Sequence, residues 1–184
     1  MPLHITDREA RLGPAGAAYG LEGVVVATDG SLKKNGAMGA AMVAKDGKIQ
    51  SRSVAVYGPP SSIRPEPAGI SLAVEECPVE ENLNILTDSL SALQLLRGMQ
   101  RNDFPLGLHR HSARHLLVQV VRRINQRAAA GSVTRLIKVR AHRAEPLNEQ
   151  ADTLASEAAE SDDSRPVFWT WTLRRSIFST RGGG

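Results

Sequence analysis

VVVATDGSLKKNGAMGAAMVAKDG, residues 24–47, opens with a β-branched run that breaks at an aspartate. Residues 24–28 are β-formers and apolar enough for a buried central strand. Asp-Gly ordinarily marks a turn, so Asp29-Gly30 reads as the end of that strand. Residues 36–45 are small and apolar, and Asp46-Gly47 carries a two-residue hairpin signal. Residues 48–57 then alternate, with Ile49, Val54 and Val56 set against Gln50 and Arg52, which predicts a third strand returning antiparallel. The stretch leaves one question open: whether Asp29 is turn chemistry or one ligand of a metal site.

Past Gly58-Pro59-Pro60 the period changes from strand to helix. Ile70, Ala73 and Val74 share a helical face. Pro65 and Pro67 fit a first turn, where no intrahelical donor is lost, so the helix is expected to begin at 64 or 65 with Glu66 in its opening turn. Residues 83–87 predict a short strand ending on Asp88, and residues 89–99 a helix carrying Leu90, Leu93 and Leu96. A loop follows at 102–110. Ser112 is the expected N-cap of a helix reaching residue 129, which Gly131 stops. Residues 134–141 predict another strand and residues 148–159 a last helix. The order βββαβααβα implies an α/β fold, a five-stranded mixed sheet flanked by helices, with antiparallel hairpin strands and parallel crossovers. Residues 1–20 read as a leader or linker, 21–160 as the domain and 161–184 as a tail.

At 184 residues the chain is long enough for one well-buried core and short for two domains. Hydrophobic content of 41% with 23% charged residues describes a soluble globular protein, and the net charge of +4 tilts it towards polyanionic partners. The single cysteine, Cys77, excludes an internal disulfide and a cysteine-rich zinc site, and reads as a packed thiol. With no apolar run of membrane-spanning length and no signal-peptide core, an intracellular location, cytoplasmic or nuclear, is expected. His109, His111 and His115 lack the partners of a zinc site and read as a solvated patch. Arg122, Arg123 and Arg127 read as a solvated helix face. Trp169 and Trp171 read as residues packing back on the domain.

Four acids take similar architectural places. Asp29 ends the first strand, Glu66 opens the first helix and Asp88 ends the fourth strand. Asp152 lies in the last helix, one turn after Asn148 and on its face. If the first and fourth strands are parallel neighbours, Asp29 and Asp88 stand side by side at the edge where α/β sheets bind ligands. Carboxylates crowded there repel unless cations hold them. Oxygen ligands suit Mg2+, with Mn2+ as the alternative. Two such ions balance four carboxylates and serve in-line phosphodiester hydrolysis.

These residues also carry a family resemblance. T-D-G-S after a strand, a Glu opening a helix after R-P, T-D-S after a strand and H-R-A-E-P-L-N-E-Q-A-D-T-L-A together resemble type 1 ribonuclease H, over residues 24–159. The resemblance implies cleavage of the RNA strand of an RNA/DNA hybrid, with Asp29, Glu66, Asp88 and Asp152 holding two Mg2+ ions. It implies that His142 assists proton transfer or product release. Asn148 and Glu149 are assigned to helix-start geometry. Gly30, Ser31, Asn35, Ser61, Ser62 and Arg64 match where the family grips its hybrid, although a surface ion pair is an equal reading of Arg64. The chain departs from the pattern at Pro67, where an apolar residue is usual, and at Ala144, where glycine is common. The short 99–110 connection and HRHSARHLL resemble a retrotransposon ribonuclease H, with a reverse transcriptase domain as the implied partner. Two rival readings are a non-catalytic ribonuclease H-like domain that binds nucleic acid or protein, and a resolvase or transposase relative. The intact carboxylate set argues against the first and the His142–Asp152 spacing against the second.

Overall fold

The computed structural model describes residues 3–6, 21–101, 113–139 and 146–161. Its strands are β1 (Leu3–Thr6), β2 (Val24–Leu32), β3 (Met38–Ala44), β4 (Arg52–Val56), β5 (Leu83–Thr87) and β6 (Thr134–Lys138). The helices are α1 (Pro65–Glu76), α2 (Leu90–Gln100), α3 (Arg114–Ala129) and α4 (Pro146–Glu160). One mixed sheet takes the order β1-β6-β5-β2-β3-β4, parallel through β1, β6, β5 and β2 and antiparallel across β2, β3 and β4.

Alternation along β2 divides the core into two layers. Val24 and Val26 pack with Ile70, Leu72, Leu93, Leu117 and Ile124 of α1, α2 and α3. Val25 and Ala27 pack on the opposite face with Val43, Leu86, Ile137 and Ala151 of α4. β2 is therefore buried on both faces, which is why it reads as a continuous apolar run rather than as alternation. α1 begins where expected, with Pro at its first positions, and buries nearly all of its residues.

The mixed α/β architecture is as expected, with four differences of detail. The sheet has six strands, because Leu3–Thr6 joins its edge beside β6 and Leu3 is buried. Four residues are too few to show a period. The β3–β4 connection is not a two-residue hairpin: residues 45–51 form it, Ser51 Oγ accepts from the Ala44 N–H, and Ile49 packs on the larger core. β2 does not stop at Asp29 but runs to Leu32, since β3 pairs with it through Leu32↔Met38. Ala113, not Ser112, occupies the N-cap of α3. Ser112, His109, His111, His142, Ala144, Trp169, Trp171 and the connection from 102 to 110 lie outside the described residues.

Arg127 is also corrected. It is fully buried rather than solvated. Its Nη1 donates to the carbonyls of Cys77 and Pro78 at 3.0 and 2.9 Å, its Nε to Thr134 Oγ1, and its Nη2 to Glu81 O and Cys77 Sγ. The guanidinium thus supplies donors to the turn joining α1 to β5 and fixes where β5 enters the sheet. Cys77 is the packed thiol expected, fully buried and with its pKa pushed up by burial. Replacing Arg127 by Met should cost about 2–5 kcal/mol, because buried carbonyls lose their donors. Chemical denaturation would check this, and an unchanged midpoint would refute the role.

Candidate active site

The parallel ladder between β2 and β5 ends at Thr28↔Thr87, and the next residue on each strand is an aspartate. Asp29 and Asp88 therefore leave the ladder side by side. Gly30 N–H donates to Asp29 Oδ1 at 2.8 Å, holding that carboxylate. Glu66 arrives from the first turn of α1 because α1 approaches β2 without side chains between them. A Cβ on Gly30 would lie 2.5 Å from the Pro65 carbonyl carbon and 2.6 Å from the Glu66 nitrogen. A Cβ on Gly69 would lie 3.0 Å from the Asp29 and Ala41 oxygens. The close approach at Gly30 is thus made by α1. Carboxylate oxygens of Asp29, Glu66 and Asp88 lie within 4.8 Å of one another.

Asp152, on α4, comes to Asp29 from the other face of the sheet, near enough for its charge and a side-chain hydrogen bond to raise the Asp29 pKa. It is the exposed member of the set, whereas Asp29 is buried. Asn148 stands one turn earlier, buried, its Oδ1 without a hydrogen-bond partner among the described residues.

The other candidate residues gather around two neighbouring loops. Asn35 Oδ1 accepts from the Ala37 N–H in the β2–β3 turn, and Gly36 there takes φ 88°. A Cβ on Gly36 would lie 2.8 Å from Pro60 Cγ, so this turn touches the loop that carries Ser61 and Ser62. Ser61 Oγ accepts from the Ile63 N–H, and Arg64 Nη1 donates to Tyr57 O at 2.7 Å. Ser31 lies two residues beyond Asp29 on β2, opposite Gly39. Sequence reasoning missed Gly69. The available signal was a glycine inside an otherwise good helix, costing about 1 kcal/mol unless it has a packing reason.

Burial and like charge act together on the carboxyls. Burial, then the charge of Asp88, raises the Asp29 pKa to about 7. Burial, then the charge of Asp29, raises that of Glu66 to about 8. Glu66 Oε2 is buried with no hydrogen-bond partner among the described residues. A buried carboxylate with one oxygen unpartnered, grouped with two more carboxylates, is the donor set a hard divalent cation fits, and Asp29, Glu66 and Asp88 could hold one.

The family model for RNase H matches residues 22–160, which includes all four carboxylates. No curated protein matches the chain. The titration of the carboxyls is measurable apart from any activity. With folded pKa values above the ordinary ones, Asp29 and Glu66 bind protons more tightly in the folded chain. In chelator, the contribution of these two groups to stability should therefore be fully present below the ordinary carboxyl range near pH 4 and decline as pH rises through about 7 to 8. Melting temperatures in EDTA should show this decline, Glu66→Gln should flatten it, and Mg2+ at the alkaline end should reverse it. A wild-type profile in EDTA no steeper than that of Glu66→Gln would contradict the reading.

Proposed function

The chain belongs to the RNase H family, and from that premise we propose that it hydrolyses the RNA strand of RNA/DNA hybrids with divalent metal ions. The observation that supports this most is the meeting of Asp29, Glu66 and Asp88, with Glu66 Oε2 buried and unpartnered among the described residues. Asp152 completes the set from α4. These hard donors suit Mg2+, with Mn2+ as the alternative, and two ions bound there would supply Lewis acidity at the scissile phosphate and a water activated for in-line attack.

The chain's own residues supply position. The Gly30 N–H holds Asp29 in one orientation, and the Gly30 and Gly69 contacts hold Glu66 against it. His142 takes the role of moving a proton to the departing 3'-oxygen, which leaves 5'-phosphate and 3'-hydroxyl ends. A hybrid differs from duplex DNA in the 2'-hydroxyls displayed across a shallow minor groove. Gly30, Ser31 and Asn35, with Ser61, Ser62 and Arg64 beyond the Gly36–Pro60 contact, form the surface assigned to reading it. The net charge of +4 favours association with the phosphates.

Labelled RNA/DNA hybrid should be cleaved in Mg2+, left intact in EDTA, and cleaved in preference to duplex DNA. Asp88→Asn should lower the rate roughly 10²- to 10³-fold, the equivalent of several kcal/mol of lost charge stabilisation, with its circular dichroism unchanged. Hybrid that is bound but uncleaved by the wild-type protein in Mg2+ would overturn catalysis and favour a nucleic-acid-binding domain.

A further inference from the structure

α4 carries Asp152 and offers no basic residue of its own to balance the acids gathered there. Its acids are Glu149, Asp152, Glu157 and Glu160, and the helix contains no Lys, Arg or His. Its fully buried contacts with the sheet are the small residues Ala151, Ala155, Ala158 and Ala159, with Leu147 and Leu154 packed partly buried beside them. At Gly39 a Cβ would lie 2.1 Å from Ala155 O and 2.5 Å from Ala159 N, so the helix backbone rests on the strand. Such a seat brings the α4 backbone close to the strand. The charge of Asp152 meanwhile faces Asp29, with Glu66 and Asp88 beyond it, and adds to the like charge gathered there.

One cation meets α4 from the sheet side. Lys33, just past the end of β2, places Nζ 2.7 Å from Glu160 Oε1 and donates to Ser156 Oγ. Ser156 and Glu160 lie one and two turns beyond Asp152, on its own face of α4. The ammonium sits at the helix C-terminus, where backbone carbonyls and Glu160 concentrate negative charge and the helix has no basic residue of its own. The Lys33 backbone also closes the turn that bears Asn35, accepting from the Gly36 N–H at 2.9 Å and donating to Ala37 O at 2.8 Å. Two further ion pairs, Arg52–Glu76 and Arg123–Glu75, both involve α1.

We propose that Lys33 is a positioning residue: by clasping Ser156 and Glu160 it sets where Asp152 stands against Asp29, and so the affinity of the site for its ion. The clasp acts through Asp152 and touches neither ion nor substrate. The pair is partly exposed, with side chains 27% and 68% accessible, so its effect on overall stability is small. The inference rests on the metal-binding reading of the carboxylates.

A double-mutant cycle on the full chain, titrated with Mn2+ by calorimetry, separates this role from a general structural one. Lys33→Met should weaken Mn2+ binding roughly three- to tenfold, as expected of a small displacement of one ligand. In an Asp152→Asn background the same change should have almost no effect. Lys33→Arg should restore affinity, and the melting temperature in EDTA should barely move. An equal loss in both backgrounds, or no loss in either, overturns the proposal. A wild-type chain that binds no Mn2+ overturns it together with the metal site. A wild-type chain that binds Mn2+ and shows the expected cycle, but leaves RNA/DNA hybrid uncut, supports the positioning role while refuting the catalytic reading.

Discussion

The parallel pairing of β2 with β5 is the constraint on which the rest depends. Its last rung, Thr28↔Thr87, delivers Asp29 and Asp88 together at the sheet edge, where two negative charges oppose each other out of reach of full solvation. No arrangement of apolar residues removes that repulsion, so the surrounding structure must hold the strands in place despite it. Burial of β2 on both faces does most of this. The buried guanidinium of Arg127, fastened to the turn before β5, fixes the other partner.

The helices meet the same constraint with small residues. α1 brings Glu66 to the aspartates because Gly30 and Gly69 present no side chain at the contact. α4 brings Asp152 from the opposite face over Gly39 and a stripe of alanines. Close backbone approach places the acids accurately but contributes little hydrophobic energy, which scales with buried apolar area. That shortfall gives significance to the charge of Lys33 and to the cations the carboxylates are suited to hold. Burial, and after it the like charge of the neighbouring acids, pushes the pKa of Asp29 and Glu66 up.

Much of this was legible in the chain itself. The apolar run at 24–28, the prolines that open α1, the strand at 83–87 and the periodic leucines of α2 and α3 are local signals, and each fell near its expected place. Glu66 and Asp88 could be picked out as candidates because each sits at an element boundary that local pattern can locate, whereas Asp29 lies within β2 and Asp152 within α4, where only the surrounding motif marks them. β1 escaped because four residues cannot display a period, and the true β3–β4 connection because Ile49 packs on a distant core. Arg127 looked like any exposed helix arginine, since its acceptors belong to a turn some fifty positions away in sequence.

The sequence by itself therefore determined the order of elements from β2 to α4, the α/β class and the candidate acids, because propensity and periodicity are properties of neighbouring residues. Only the tertiary structure decided that β2 continues past Asp29, that Gly30 receives α1, that Arg127 is buried and that Lys33 reaches α4. The first is a pairing across a hairpin, and the others are contacts between segments far apart in the chain. Which side chain meets which across such a gap is set by strand register and by how closely two backbones can approach, and neither is written in local pattern.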